Sequence, residues 1–174
     1  VGVLAAANQE QLIEGVRQIL ATVAAGPSVR RNDLRQLCYE FLRNVSAATA
    51  SYGNIGVADL QGEIQCLANP GQQRINVADR DYFLAFQKDG HQGLYIGKPV
   101  PSRITGLNIL PLSRAYFHAD GSFAGVVVGA VRLSVFNELF GSLDIGPQSG
   151  VNLFRSDGVV IMRFPYGDAD VGRS

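Results

Sequence analysis

"ILPLSRAYFHADGSFAGVVVGAVRLSVF", Ile109 to Phe136, carries two long extended runs on either side of a turn. The runs, Leu107 to Phe117 and Phe123 to Ser134, are rich in valine, leucine and aromatic residues, and Ala119-Asp120-Gly121 between them has the composition of a tight turn. An antiparallel hairpin is the expected structure. Because successive strand side chains point to opposite faces, Ile109, Pro111, Ser113 and Ala115 fall on one side of the first run, and Asn108, Leu110, Leu112 and Arg114 on the other. Only one of these faces can line a cavity.

Toward the N-terminus, Gly93 to Val100 reads as a third extended run, preceded by a short helix over Ala78 to Gly90. Before that, Ile55 to Asp59 and Glu63 to Ala68 flank Leu60-Gln61-Gly62, a second hairpin. The first third of the chain has helical period. Leu12, Ile13, Val16, Ile19, Leu20 and Val23 make one apolar stripe, Gly26-Pro27 interrupts it, and Leu34, Leu37, Cys38, Phe41, Leu42 and Val45 resume it over about Asn32 to Ser46. Toward the C-terminus a helix over Ser134 to Leu143 precedes a last hairpin, Val151 to Arg155 and Val159 to Phe164 around Ser156-Asp157-Gly158. This order predicts an α+β fold: a long N-terminal helix, then an antiparallel sheet with helices on one side. Two strands alone are marginal in water, so the last hairpin is expected to open a second sheet; standing alone, it would leave Val160 and Met162 exposed.

Bulk properties narrow the function classes. In 174 residues, 15 Lys and Arg balance 15 Asp and Glu, so there is no basic surplus to suit nucleic acid or an anionic membrane. With 47% hydrophobic residues the chain can bury a core, yet its longest apolar run, Phe123 to Val131, falls far short of the ~20 residues that span a bilayer. A start at Val1, with no initiator Met and no signal peptide, reads as a fragment of a longer protein. Metalloprotease, nucleophile-elbow and phosphate-loop motifs are absent, His91 and His118 sit at loop or strand ends, and Cys38 and Cys66 are too few for structural zinc. Neither a metal nor a cofactor is expected.

"DRDYF" (Asp79 to Phe83), "IGKPVPSRITG" (Ile96 to Gly106), the stretch from Ile109 and "SGVNLFRSDGVVIMRFP" (Ser149 to Pro165) follow one another in an order and spacing that resembles the double Cache family. These are extracytoplasmic sensor domains of PAS-like fold on bacterial histidine kinases and diguanylate cyclases. The resemblance covers nearly the whole chain. It implies a long helix over 1–47, kinked near Gly26-Pro27 and descending from a membrane anchor, a membrane-distal sensor module over 48–143, and the start of a truncated membrane-proximal module over 144–174. It places the chain in the periplasm as part of an inner-membrane receptor, with a small-molecule ligand.

In such sensors the helix holding "DRDYF" roofs the ligand cavity, so the resemblance nominates Arg80, Tyr82 and Phe83; the strands add Tyr95 and Ser113 as candidates for the far wall, and Arg103 sits on a loop able to close over an anion. A guanidinium fork and a phenol suit a small anion or carboxylate. Arg80 and Tyr82 lie about 200° apart on a helix whereas Arg80 and Phe83 share a face, so either aromatic can accompany the arginine. A bland alternative has Asp79 capping the helix, Phe83 in the core, and Arg103 and Arg114 merely solvated. The amino-acid-binding branch of the family carries Tyr, Trp, Tyr and Asp where this sequence has Ile75, Tyr82, Phe83 and, on the last strand, Val131. With no acid to pair an ammonium group, an amino-acid ligand is disfavoured.

Cys38 on the inward stripe and Cys66 on the inward strand face are expected to form a disulfide, in keeping with an oxidising periplasm. Leu12, Val16, Ile19 and Val23 are expected to make parallel homodimer contacts. Two rival readings are a structural dimerisation module without ligand and a small hydrolytic enzyme using Asp79 or Asp81 with Arg80 or Tyr82.

Overall fold

The computed structural model describes residues 2–31, 35–47, 53–69, 74–88, 90–142 and 150–164. Helix α1 (Gly2–Ala25) stops at Gly26, and Pro27 starts the single turn α2 (Pro27–Arg30), where its missing N–H costs nothing. The break coincides with a crossing: a Cβ on Gly26 would sit 2.8 Å from the Phe41 ring of α3 (Arg35–Ala47). Leu34 of the expected stripe lies outside the described residues, and Leu37 is exposed, so α3 buries a narrower face, centred on Cys38 and Leu42.

The sheet comprises β1 (Gly53–Asp59), β2 (Ile64–Leu67), β3 (Tyr95–Ile96), β4 (Val100–Pro101), β5 (Asn108–Phe117) and β6 (Phe123–Arg132), in the order β2-β1-β6-β5-β3 with β4 also on β5. All pairings are antiparallel. The β5–β6 hairpin forms as its sequence predicts. The Gly93 to Val100 run is instead split, because Gly97 and Pro99 interrupt it; Gly97 fits where a Cβ would lie 2.8 Å from Pro111 and 3.1 Å from the Cβ of Tyr82. Ser134 belongs to helix α5 (Leu133–Gly141) rather than to the strand.

Helices α1, α3 and α5 share one side of the sheet, and the short helix α4 (Asp81–Gln87) crosses the other. Parity along β6 divides the core between the two faces: Val127 and Val131 pack toward α1, Val126 and Val128 toward α4. Leu12, Val16, Leu20 and Val23 are buried against Leu110, Leu112, Val127 and Val131. Most of the apolar stripe is therefore covered within the chain, where the sheet is a partner already covalently tethered, and Ile19 of the positions expected at a dimer contact is only partly buried. Among the described residues no helix is long and apolar enough to cross a membrane.

Strands β7 (Val151–Phe154) and β8 (Val160–Phe164) make a separate two-stranded sheet with no ladder to β6. Met162 and Ile161 are nonetheless buried, within the apolar cluster that includes Phe136 and Phe140 of α5, and Val160 is half-buried. The hairpin avoids the exposure expected of an isolated one by packing on α5. Cys38 and Cys66 are joined by a disulfide with Cα atoms 6.2 Å apart, tying α3 to β2.

Candidate functional site

Helix α4 begins one residue later than a helical wheel through "DRDYF" assumes. Arg80 has extended backbone angles, φ −81° and ψ 141°, and the helix starts at Asp81, whose Oδ1 accepts the Tyr82 N–H at 2.8 Å. That bond satisfies one of the amide donors a helix N-terminus leaves unpaired. Since Arg80 stands outside the helix, the 200° separation no longer applies, and Arg80 and Tyr82 line one cavity together. Phe83 points into the core with no exposed surface. Asp79 caps nothing; it is the partner of Arg103.

The cavity lies between the α4 face of the sheet and the segments 75–82 and 100–104. Its floor is Gly56 of β1, Ile109 of β5, and Val128 and Ala130 of β6, and Ile64, Leu67, Ile75 and Val77 extend the apolar wall. It offers about 40 Å³ to the centre of a water molecule, room for about three waters. Five polar residues line this wall; Asn54 and Ser102 are spent on backbone groups, and the other three are Arg80, Arg103 and Tyr82. Arg80 donates from Nη2 to the Pro101 carbonyl at 3.3 Å. Arg103 forks onto Asp79, 2.8 Å and 2.6 Å from its two oxygens, and also donates to the Asn76 carbonyl. Its loop is held by the Ser102 hydroxyl, which accepts the Ile104 and Thr105 amides. The third is the phenol of Tyr82, a residue 6% exposed.

Burial pushes the Tyr82 phenol up to about 12, and Arg80 and Arg103 pull in the opposite direction, which places both cations within electrostatic reach of the ring. The Arg103 hydrogen bond holds the Asp79 carboxyl below its ordinary value. Burial likewise raises Tyr116, on the other face of the sheet, to about 12. An unfolded tyrosine ionises near 10, so below that pH both states are protonated and the full contribution to stability is present. Between 10 and 12 the unfolded chain loses its protons first, and stability falls by on the order of 2 kcal/mol per buried tyrosine. Alkaline titration followed by phenolate absorbance, alongside urea unfolding, is expected to show Tyr82 and Tyr116 ionising last; a stability flat to pH 12 would contradict this.

The other nominated residues are elsewhere. Ser113 is fully buried and donates its hydroxyl to the Tyr82 carbonyl at 2.8 Å, so it braces α4 from behind and does not line the cavity. Tyr95 pairs with Ser113 across β3–β5, and its hydroxyl lies 3.4 Å from Asp81 Oδ2, outside the cavity. Val131 faces α1; the last-strand positions that face the cavity are Val128 and Ala130. No acid lines the wall in either register. Sequence reasoning also missed Asn54, Val77 and Ile104, of which Val77 could have been found by its alternation with Ile75 ahead of α4. The acid/base pair of a hydrolytic reading is committed: Asp79 to Arg103, and Asp81 to the amides of Tyr82 and Lys98. Among the described residues no three metal-ligating side chains cluster.

No protein-family model matches the sequence, and no curated protein matches it. Solved structures do share its fold. The extracellular domain of rpHK1S-Z16, assigned as a histidine kinase, superposes with a TM-score of 0.77 at 23% identity over 96% of this chain and 68% of that one. The ligand-binding domain of the Pseudomonas fluorescens chemoreceptor CtaA, in complex with L-alanine, gives 0.77 at 18% identity over 99% and 72%. That of the Campylobacter jejuni chemoreceptor Tlp3, in complex with 4-methylisoleucine, gives 0.69 at 9% over 91% and 65%. At these identities the likeness is one of fold: this chain has the α+β architecture of extracellular ligand-binding domains, and spans about two thirds of their length.

Proposed function

We propose that this chain is the extracytoplasmic sensing part of a membrane-anchored signalling receptor, of the histidine kinase or diguanylate cyclase kind, and that it binds a small carboxylate in the cavity under Arg80 and Tyr82. The observation that carries the reading is the convergence of the Tyr82 phenol and the Arg80 and Arg103 side chains on one cavity whose remaining wall is largely apolar. Arg80 has a neutral carbonyl as its acceptor, at 3.3 Å, and a carboxylate would give it and the Tyr82 hydroxyl a charged one. The fold shared with extracellular ligand-binding domains supports the same placement. In this reading residues 48–143 are the membrane-distal sensor module, residues 144–174 open a membrane-proximal one, and Phe83, Tyr95 and Ser113 hold the site from outside it.

Apolar walls and the lack of an acid argue for an acid with a short aliphatic tail and no ammonium group, because a buried cation left unpaired is strongly disfavoured. The matched pair propionate and L-alanine, which differ by that group, tests the site by calorimetric titration. Propionate is expected to bind at least tenfold more tightly than L-alanine, and Arg80→Ala to weaken it by about 10- to 100-fold. Tighter L-alanine binding would overturn the exclusion of an ammonium group alone. Propionate affinity unchanged in Arg80→Ala, or no binding of either compound, would overturn the site.

A further inference from the structure

Besides its apolar packing on α5, the β7–β8 sheet reaches the distal module with one polar side chain directed at the start of α4. Arg155 follows β7 and is largely buried, and its turn partner Asp157 engages Nε and Nη2, which fixes the plane of the guanidinium. Nη1 is left to reach across. It donates to the Ile96 carbonyl at 2.9 Å and to the Tyr95 hydroxyl at 3.3 Å, and lies 3.6 Å from Asp81 Oδ2, with the guanidinium carbon 5.5 Å from the Tyr95 ring centre.

Asp81 is the residue between Arg80 and Tyr82. Its Oδ1 accepts the Tyr82 amide and its Oδ2 the Lys98 amide, both at 2.8 Å. One carboxylate therefore joins the first turn of α4 to the segment after β3, and Arg155 holds both the carboxylate and that segment. Gly97 permits the approach, since a Cβ there would lie 3.2 Å from Asp81 Oδ1. A ligand that draws Arg80 or Tyr82 inward must move a backbone whose next hydrogen bonds lead to Arg155.

We propose that Arg155 is a positioning residue of the cavity: through Asp81 it sets the N-terminus of α4, so that filling the cavity and docking the β7–β8 hairpin on the distal sheet are coupled. The proposal rests on the ligand-binding reading for its functional meaning, and on the Arg155–Asp81 geometry for its structure. Coupling of this kind is reciprocal in binding free energy, so the effect of the hairpin on ligand affinity equals the effect of ligand on the hairpin.

The test uses propionate as the probe on wild type, Arg155→Gln and the milder Asp157→Asn, which loosens the guanidinium without removing it. Propionate affinity is expected to fall about 5- to 20-fold in Arg155→Gln and less in Asp157→Asn. In the wild type saturating propionate is expected to slow amide exchange in Val151–Phe164, and in Arg155→Gln to leave it unchanged. A role confined to stability would lower the melting temperature without abolishing that ligand-dependent protection. Equal affinity in wild type and Arg155→Gln, or equal protection of the hairpin in both, would overturn the proposal. If propionate fails to bind the wild type, the ligand reading falls, and the positioning claim is judged on unliganded protein. The Tyr82 and Lys98 amides are then expected to exchange about tenfold faster in Arg155→Gln, and unchanged rates would overturn it.

Discussion

Reducing the Cys38–Cys66 bond is expected to lower the unfolding free energy by about 3–4 kcal/mol. The bond closes a loop of 28 residues, and the loss of chain entropy on cross-linking a loop of that length gives this magnitude when the native geometry is relaxed. It also has a definite place in the molecule. Helix α3 is an outer layer over β1 and β2, held by Leu42, Cys38 and the flank of Phe41 against Gly26, whereas β5 and β6 are central and paired on both sides. Without the bridge, α3 loses its one covalent tie to the sheet, and amide exchange in Arg35–Ala47 should accelerate before any change in β5 or β6. Urea unfolding with and without reductant, and of Cys38→Ser, measures the first effect, and exchange mass spectrometry the second. A loss under about 1 kcal/mol, or two free thiols in the untreated protein, would contradict the expectation.

The elements that were legible from sequence are those with local causes. The β5–β6 hairpin follows from two long apolar runs and one Asp-Gly turn, and the α1–α2 break from Gly26-Pro27. What the sequence hides is parity and partnership. Strand β6 is apolar at nearly every position because both its faces are buried, so nothing in its pattern says that Ala130, and not Val131, faces the cavity. The α1 stripe has the same ambiguity, since an apolar face looks alike whether it covers its own sheet or a second copy. At the site, Asp79 has the composition of a helix cap, but Arg103, 24 positions later, claims its carboxylate, and the helix starts without it. Arg80 consequently leaves the helix, which brought it together with Tyr82 against the wheel geometry. The Arg155 contact with Asp81 spans more than seventy positions and has no local signature at all.

Gly125→Ala is expected to cost about 4 kcal/mol or more, enough to threaten folding outright. Strand β6 lies between β1 and β5, and Gly125 pairs with Asp59 on one side and Tyr116 on the other. Its φ of +148° is one that side chains rarely adopt. A Cβ there would overlap the Ala58 carbonyl oxygen and sit 2.9 Å from Cε1 of Tyr116, a ring that is fully buried across the glycine. The first contact is with backbone, so no rotamer change relieves it. Either β1 moves away from β6 and forfeits ladder bonds, or β6 bends and displaces Tyr116, and each route adds to the strain of the dihedral itself. Gly121 in the β5–β6 turn isolates that strain: its φ is +84° and a Cβ would meet nothing within 4 Å, so Gly121→Ala should cost only about 1–2 kcal/mol. Comparing the two variants by chemical denaturation separates dihedral strain from collision. If Gly125→Ala unfolds within about 1 kcal/mol of Gly121→Ala, the close approach of β1 to β6 is not what requires glycine at this position.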